Sequence, residues 1–220
     1  MLVRKRFNEN VEHEGSRFRP QGQRTLSGNR IEKQGARMKI YFHLNIGGFS
    51  NCYIIENEFT KEAIVIDPGK ITDDIIKRIE DESYKLAGVF ITHNHGSHVH
   101  GLKTLLKIYT PAVYAADWEV AGNDTHVITG DGRIRIAGLT VRYMALPGHT
   151  ADSMVYKIGN VLFTGDSLSA GKIGSTNSSY SDFVLRRNIE QKILSENDAT
   201  VIMPGHGPPT CVGAERMFIV

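Results

Sequence analysis

Cysteine is scarce in this 220-residue chain: Cys52 and Cys211 are the only two, far apart and in no C-x-x-C pair. That excludes a disulfide framework and a thiolate zinc site. Cys52, at the start of an apolar run, is expected to be buried rather than reactive. Long apolar runs are missing as well. No stretch approaches the roughly 20 residues that cross a bilayer. Arg4, Lys5 and Arg6 have no apolar segment behind them to complete a secretory signal. The expectation is a cytoplasmic chain with no membrane partner. Nor does either sign of charge dominate. The formal net charge is only +2, yet it is unevenly placed: residues 1–37 hold nine Lys/Arg against four Glu, whereas 38–220 hold 17 basic and 20 acidic residues. A net acidic body is poorly matched to phosphate backbones, so no nucleic-acid partner is expected.

What remains is enough for one sizeable domain with its own core. Residues 1–37 are polar, basic and without helical or strand periodicity, and cannot bury enough apolar surface to order themselves. They are read as a flexible, dispensable extension ahead of a body that begins at Met38. From there the texture alternates. "MKIYFHL", "CYII" and "EAIVID" read as strands. "ITDDIIKRIEDE" sets Ile71, Ile75, Ile76 and Ile79 at helical spacing, and "LAGVFIT" is a buried strand. "HVHGLKTLLKIY" reads as one helix and "AVYAA" as a strand. "RIRIAGLTVRYMAL" is two strands turning at Ala137-Gly138, and "SMVYKI" and "NVLFTG" form a hairpin at Gly159-Asn160. "DFVLRRNIEQKILSE" is a helix with Phe183, Leu185, Ile189, Ile193 and Leu194 inward, and "ATVIMPGH" is the last strand.

Five of these strands end alike. "VFIT" leads into His93-Asn94-His95, "YMALPG" into His149, "VLFTG" into Asp166, "TVIMPG" into His206 and "AIVI" into Asp67. A core histidine would lie inside a strand; these lie just past one, among the glycines that let backbone approach closely. Ligand sites in layered α/β architectures collect at such ends. Imidazole and carboxylate are the donors that zinc and similar divalent ions take. His93 and His95, two apart in an extended segment, share a side. With His149 they make a three-histidine face open at a fourth position, while His98, Asp166 and His206 suit a second ion with Asp166 between the two. His43 and His126 lack such context, His43 in a strand and His126 in a loop; both are read as structural or exposed, and Trp118 and Tyr143 as packing residues.

Thr92-His93-Asn94-His95-Gly96-Ser97-His98, with "SNCYII", "IDPG", "PGHT" at 147–150, "FTGD" at 163–166 and "PGHG" at 204–207, resembles the metallo-β-lactamase-fold metallohydrolases and their T-H-x-H-x-D-H signature. The likeness runs from about Met38 to the C-terminus. It implies an αβ/βα four-layer sandwich, two mixed sheets face to face with helices outside. Within the family the chain looks most like the glyoxalase II-like branch. That implies a small thioester or ester substrate, a metal-activated water and one or two zinc ions, with iron or manganese as alternatives, in a monomer or homodimer. His93, His95 and His149 would bind the first metal, His98, Asp166 and His206 the second, and Asp67 would orient a ligand histidine. The sequence ends soon after "PGHG", without the helical region that grips glutathione in glyoxalase II.

Two residues depart from the family pattern. Ser97 stands where it has Asp, so the second metal should be held less tightly. Asp152 stands where it usually has Gly, either supplying the missing carboxylate or capping a loop. His100 is a substitute ligand or an exposed residue. Two rival readings follow: a mononuclear-iron, persulfide dioxygenase-like oxidoreductase on His93, His95 and His149, and a non-catalytic binding module on the same fold.

Overall fold

A computed structural model describes residues 38–219; the N-terminal extension lies outside them. In chain order the elements are strands β1 (Met38–Asn45), β2 (Ser50–Asn57) and β3 (Glu62–Ile66), helix α1 (Asp73–Asp81), and strand β4 (Lys85–Phe90). Short helices α2 (Gly96–Val99) and α3 (Leu102–Ile108) and strands β5 (Ala112–Ala115) and β6 (Thr125–Val127) follow. Next come β7 (Asp131–Ile136), β8 (Leu139–Ala145), β9 (Met154–Ile158), β10 (Val161–Gly165) and the small hairpin β11 (Leu168–Ser169) and β12 (Lys172–Ile173). Helix α4 (Ser179–Lys192), strands β13 (Val201–Pro204) and β14 (Thr210–Cys211) and helix α5 (Val212–Ile219) complete it.

Two six-stranded mixed sheets result, ordered β1-β2-β3-β4-β5-β6 and β14-β13-β10-β9-β8-β7. Side-chain alternation explains their stacking. Along β2, Cys52 and Ile54 pack with Ile75 and Ile79 of α1 and Leu102 and Leu105 of α3, whereas Tyr53 and Ile55 pack with Tyr156 and Phe163 of the other sheet. On β10, Phe163 faces that inter-sheet core and Leu162 turns outward to Leu185 and Ile189 of α4. Strands apolar on both faces are thus buried on both faces, giving the four-layer helix–sheet–sheet–helix sandwich. Each such core side chain stabilises the fold by about 1.5–3 kcal/mol.

Several sequence expectations need correction. The single helix expected over 98–109 is broken into α2 and α3. At the break a Cβ on Gly101 would lie 2.6 Å from the Pro68 carbonyl, so the chain packs backbone to backbone there. Phe183 is 60% exposed because only Leu185 and Ile189 of α4 are fully buried. "ATVIMP" is followed by β14, which pairs back on β13, and by α5. His126 lies in β6, stacked on Tyr114 with centroids 5.1 Å apart, and not in a loop. The Ala137-Gly138 turn does form, with φ of 52° and 66° at its two residues.

Strand direction gathers the ends. β3 and β4 are parallel. β10 and β13 are parallel, and β8 runs with them because β9 is antiparallel to both neighbours. The sheets are stitched at this edge. Asn51 N donates to Gly205 O (2.7 Å), Tyr53 Oη donates to Pro204 O (2.7 Å), and Tyr156 Oη donates to Ile91 O (2.6 Å).

Candidate metal centre

The turns past β3, β4, β8, β10 and β13 set their side chains against one another. Close approach is possible because two glycines leave room. A Cβ on Gly205 would lie 2.4 Å from Asp166 Oδ1, and one on Gly165, at φ +51°, would lie 2.5 Å from Thr92 Oγ1. Two clusters form. The donor atoms of His93, His95, His149 and Asp166 all lie within 4.8 Å of one another, as do those of His98, Asp166 and His206. Two donors bonded to one zinc ion at about 2.0–2.3 Å are separated by at most roughly 4.6 Å, a comparable span. His93 Nε2 lies 2.9 Å from His95 Nδ1, and His149 Nε2 lies 3.3 Å from the same atom. Asp166 stands between the clusters: Oδ2 is 3.8 Å from His93 Nε2 and from His149 Nε2 and 3.5 Å from His206 Nε2, while Oδ1 is 3.3 Å from His98 Nε2.

The outward ring nitrogens decide where the protons sit. His149 Nδ1 donates to Ser175 O (2.7 Å) and His206 Nδ1 to Phe49 O (2.8 Å), since carbonyls only accept. His98 Nδ1 donates to Asp67 Oδ2 (3.0 Å). Asp67 also accepts from Thr92 N (2.8 Å) and Thr92 Oγ1 (2.7 Å); with its proton so used, Thr92 Oγ1 accepts from His93 Nδ1 (3.1 Å). In neutral rings, four Nε2 lone pairs therefore face one carboxylate. His98 Nε2 and Asp166 Oδ1 are buried and have no hydrogen-bond partner. Orphaned buried groups are costly, and a cation satisfies both.

The electrostatics agree. Burial, then the charge of His98, pushes the His93 pKa down to about 4. Burial opposes charge on His98 too, but Asp67 and then Asp166 outweigh it and lift that pKa to about 10. Burial disfavours ionised Asp166, yet the His98 ring 3.3 Å away and the charges of His98, His206 and His93 draw its pKa down to about 2. Two carboxylates flanking His98 demand positive charge there, whether a proton or a metal ion. A donor set of neutral imidazoles and carboxylate fits a divalent transition ion.

The structure also places the remaining candidates. Asp152 joins neither cluster: its Oδ2 accepts from the backbone N of Asn94 (2.7 Å), the residue between His93 and His95. Of the two roles considered for it, loop capping is the one observed. Asn94 Nδ2 donates to Asp117 Oδ2 (2.8 Å), so the segment is held from both sides. His100 is exposed and belongs to neither cluster. His43 Nε2 lies 3.3 Å from Thr72 Oγ1. Trp118, expected to pack, is 60% exposed on a 3₁₀ turn beside Asp117 because no core face reaches it. The partners Thr92, Asn94, Asp117, Ser175 and Phe49 were missed. Thr92 precedes a ligand-type histidine and so carried a signal; the carbonyls of Ser175 and Phe49 carried none, because any residue supplies one. A cavity of about 170 Å³ opens on His149, Asp166 and His206, with Lys172 and Ser175 in its wall.

Residues 45–206 match the Metallo-beta-lactamase superfamily. The protein named "Probable polyketide biosynthesis zinc-dependent hydrolase BaeB" of Bacillus velezensis is 30% identical over 163 residues, covering 70% of this chain and 72% of that one. A hydroxyacylglutathione hydrolase of Chromohalobacter salexigens is 28% identical over 166 residues, covering 73% of this chain and 64% of that one. The crystal structure of ETHE1 from Myxococcus xanthus superposes with a TM-score of 0.75 at 25% identity, covering 83% of each chain.

Proposed function

The chain belongs to the metallo-beta-lactamase superfamily, and from that premise we propose that it is a metal-dependent hydrolase of a small thioester or ester, with zinc as the working metal. In this reading His93, His95 and His149 hold the first ion, His98, Asp166 and His206 the second, and Asp67 orients His98 directly and His93 through Thr92. The observation that carries it is the set of four imidazole Nε2 atoms whose outward protons are already committed, converging on Asp166. When bound, a divalent ion supplies Lewis acidity and lowers the pKa of a coordinated water towards about 7. The chain's own part is positional. Asp67 and two backbone carbonyls aim imidazoles inward, Asp166 joins the two clusters, and Lys172 lines the cavity where substrate approaches. The second cluster counts three His/Asp donors and the first four, so Ser97 leaves the second the weaker.

A second reading, a mononuclear-iron oxidoreductase of the persulfide dioxygenase type, is favoured by the first cluster's forming a complete donor set on its own. Elemental analysis of the purified protein, with a screen of thioesters before and after chelation, separates the two. Zinc, with thioester turnover that chelation abolishes and zinc restores, is expected. A single iron ion and no thioester turnover would overturn the hydrolase reading.

A further inference from the structure

On the side of α2, a concavity of about 440 Å³ is walled by Lys70, Ser97 and His100 and by the glycine-rich turn at Gly48. Its walls are chain neighbours of the metal-binding groups. Gly96 and Ser97 are the two residues between His95 and His98, and Gly48 precedes Phe49, whose carbonyl accepts from His206 Nδ1. The concavity and the second cluster are thus built on the same two backbone segments, one carrying His98 and the other the Phe49 carbonyl. No aspartate or glutamate is in the lining. Lys70 and His100 are exposed, and neither forms an ion pair with a described residue. The Ser97 hydroxyl is likewise without a hydrogen bond to any described residue. The Ser97 carbonyl, which would repel an anion, is already taken by the buried Ser50 Oγ at 2.7 Å, itself held by Asn45 Nδ2 at 3.3 Å. Among the described residues an unpaired lysine, a histidine ring N–H and an unengaged hydroxyl, with no acidic neighbour in the lining, are complementary to a negative charge.

We propose that the concavity formed by Lys70, Ser97 and His100 binds an anionic group, a carboxylate or a phosphate, carried by the substrate that is cleaved at the adjoining metal centre; the role of that group in turnover rests on the hydrolase reading above. Serine at 97 is then a specificity feature as well as a lost metal donor, because a carboxylate at that position would place negative charge in the wall of the anion site.

The test is a chemical-shift titration of the zinc-loaded, full-length protein with inorganic phosphate and, separately, with acetate. It follows the His100 ring and the amides of Gly48 and Gly96. Saturable shifts are expected, with the tighter anion identifying the class. Affinity should fall at least threefold in Lys70→Ala and tenfold or more in Lys70→Glu, with zinc content unchanged; Lys77→Ala, on α1, should not alter it. Shifts that are absent, or equally strong in Lys70→Glu, would overturn the proposal, since binding would then be at the zinc alone. In turnover, a succinyl thioester should outperform its propionyl counterpart, and Lys70→Glu should erase that preference by raising KM while leaving kcat nearly unchanged. Anion binding at His100 with neither thioester cleaved would retire the hydrolase reading and leave the anion site standing.

Discussion

The two halves of the centre share Asp166 but are built on opposite principles. The first cluster is rich in donors and lightly braced. His93 reaches Asp67 only through the Thr92 hydroxyl, His149 rests on a carbonyl, and His95 is exposed with no outward partner among the described residues. The second is poor in donors and braced by charge: fully buried His98 is hydrogen-bonded directly to the Asp67 carboxylate. Donor number gives affinity without precise support, whereas a three-donor set depends on its orienting partner. The second cluster should therefore be the more fragile to changes away from the donors themselves.

The largest effect is expected from removing what the halves share. Asp166→Ala should empty the second cluster, weaken the first, and reduce turnover to the level of the chelated enzyme, as read by elemental analysis and thioester hydrolysis. Full occupancy of the first cluster in that variant would show that its three histidines suffice, and the clusters would count as independent.

Next is Asp67→Asn. Asp67 sits at φ +51°, a conformation asparagine also tolerates, so the exchange removes charge with little added strain. Loss of an outer partner of this kind costs about 10- to 100-fold in metal affinity. The fall should be larger at the second cluster, where the contact to His98 is direct, than at the first, where Thr92 intervenes. Competition with a graded series of chelators measures both. Equal losses would refute the idea that the halves differ in bracing.

How much of this was legible beforehand follows from which interactions are side-chain specific. Strand ends bearing His93, His149, Asp166 and His206 were readable because apolar runs that stop at Gly or Pro and deliver an imidazole are rare patterns. The two-sided burial of β2 was readable from its unbroken apolar run "CYII". The carbonyls of Ser175 and Phe49 were not, because nothing in a side chain marks them. The helix break at Gly101 depends on Pro68, distant in sequence, and Phe183 fits a helical stripe yet faces solvent because α4 buries a narrower one. Asp152 is instructive in another way: its charge suggested a ligand, and only the fold shows it turned to the Asn94 amide.

Ser97→Asp should act in the opposite direction, strengthening the weaker half. An added carboxylate next to His98 should raise second-cluster occupancy by roughly tenfold, the lower end of effects around metal shells, and with it the turnover of an uncharged thioester such as the propionyl one. If occupancy and rate stay as they are, the new carboxylate has paired with the unpaired Lys70 across the concavity, and the deficit of the second cluster lies elsewhere than at position 97.

The smallest effect, and the sharpest test of the contrast, is Asp152→Ala. Asp152 touches neither cluster, but its carboxylate fixes the amide of Asn94 and so the path of the chain from His93 to His95. A charged acceptor on a half-buried amide contributes about 1.5–3 kcal/mol where it is fully lost. Water reaches Asp152 in part and Asp117 still holds the Asn94 side chain, so most of that is recovered. A several-fold drop in first-cluster affinity is expected, with the second unchanged, because His98 is held by the Asp67 carboxylate and not by the Asn94 amide. Differential metal titration reads the two separately. A loss shared equally by both clusters would mean that the segment from Thr92 to His98 moves as one rigid piece, and the division into a donor-rich half and a charge-braced half would fail.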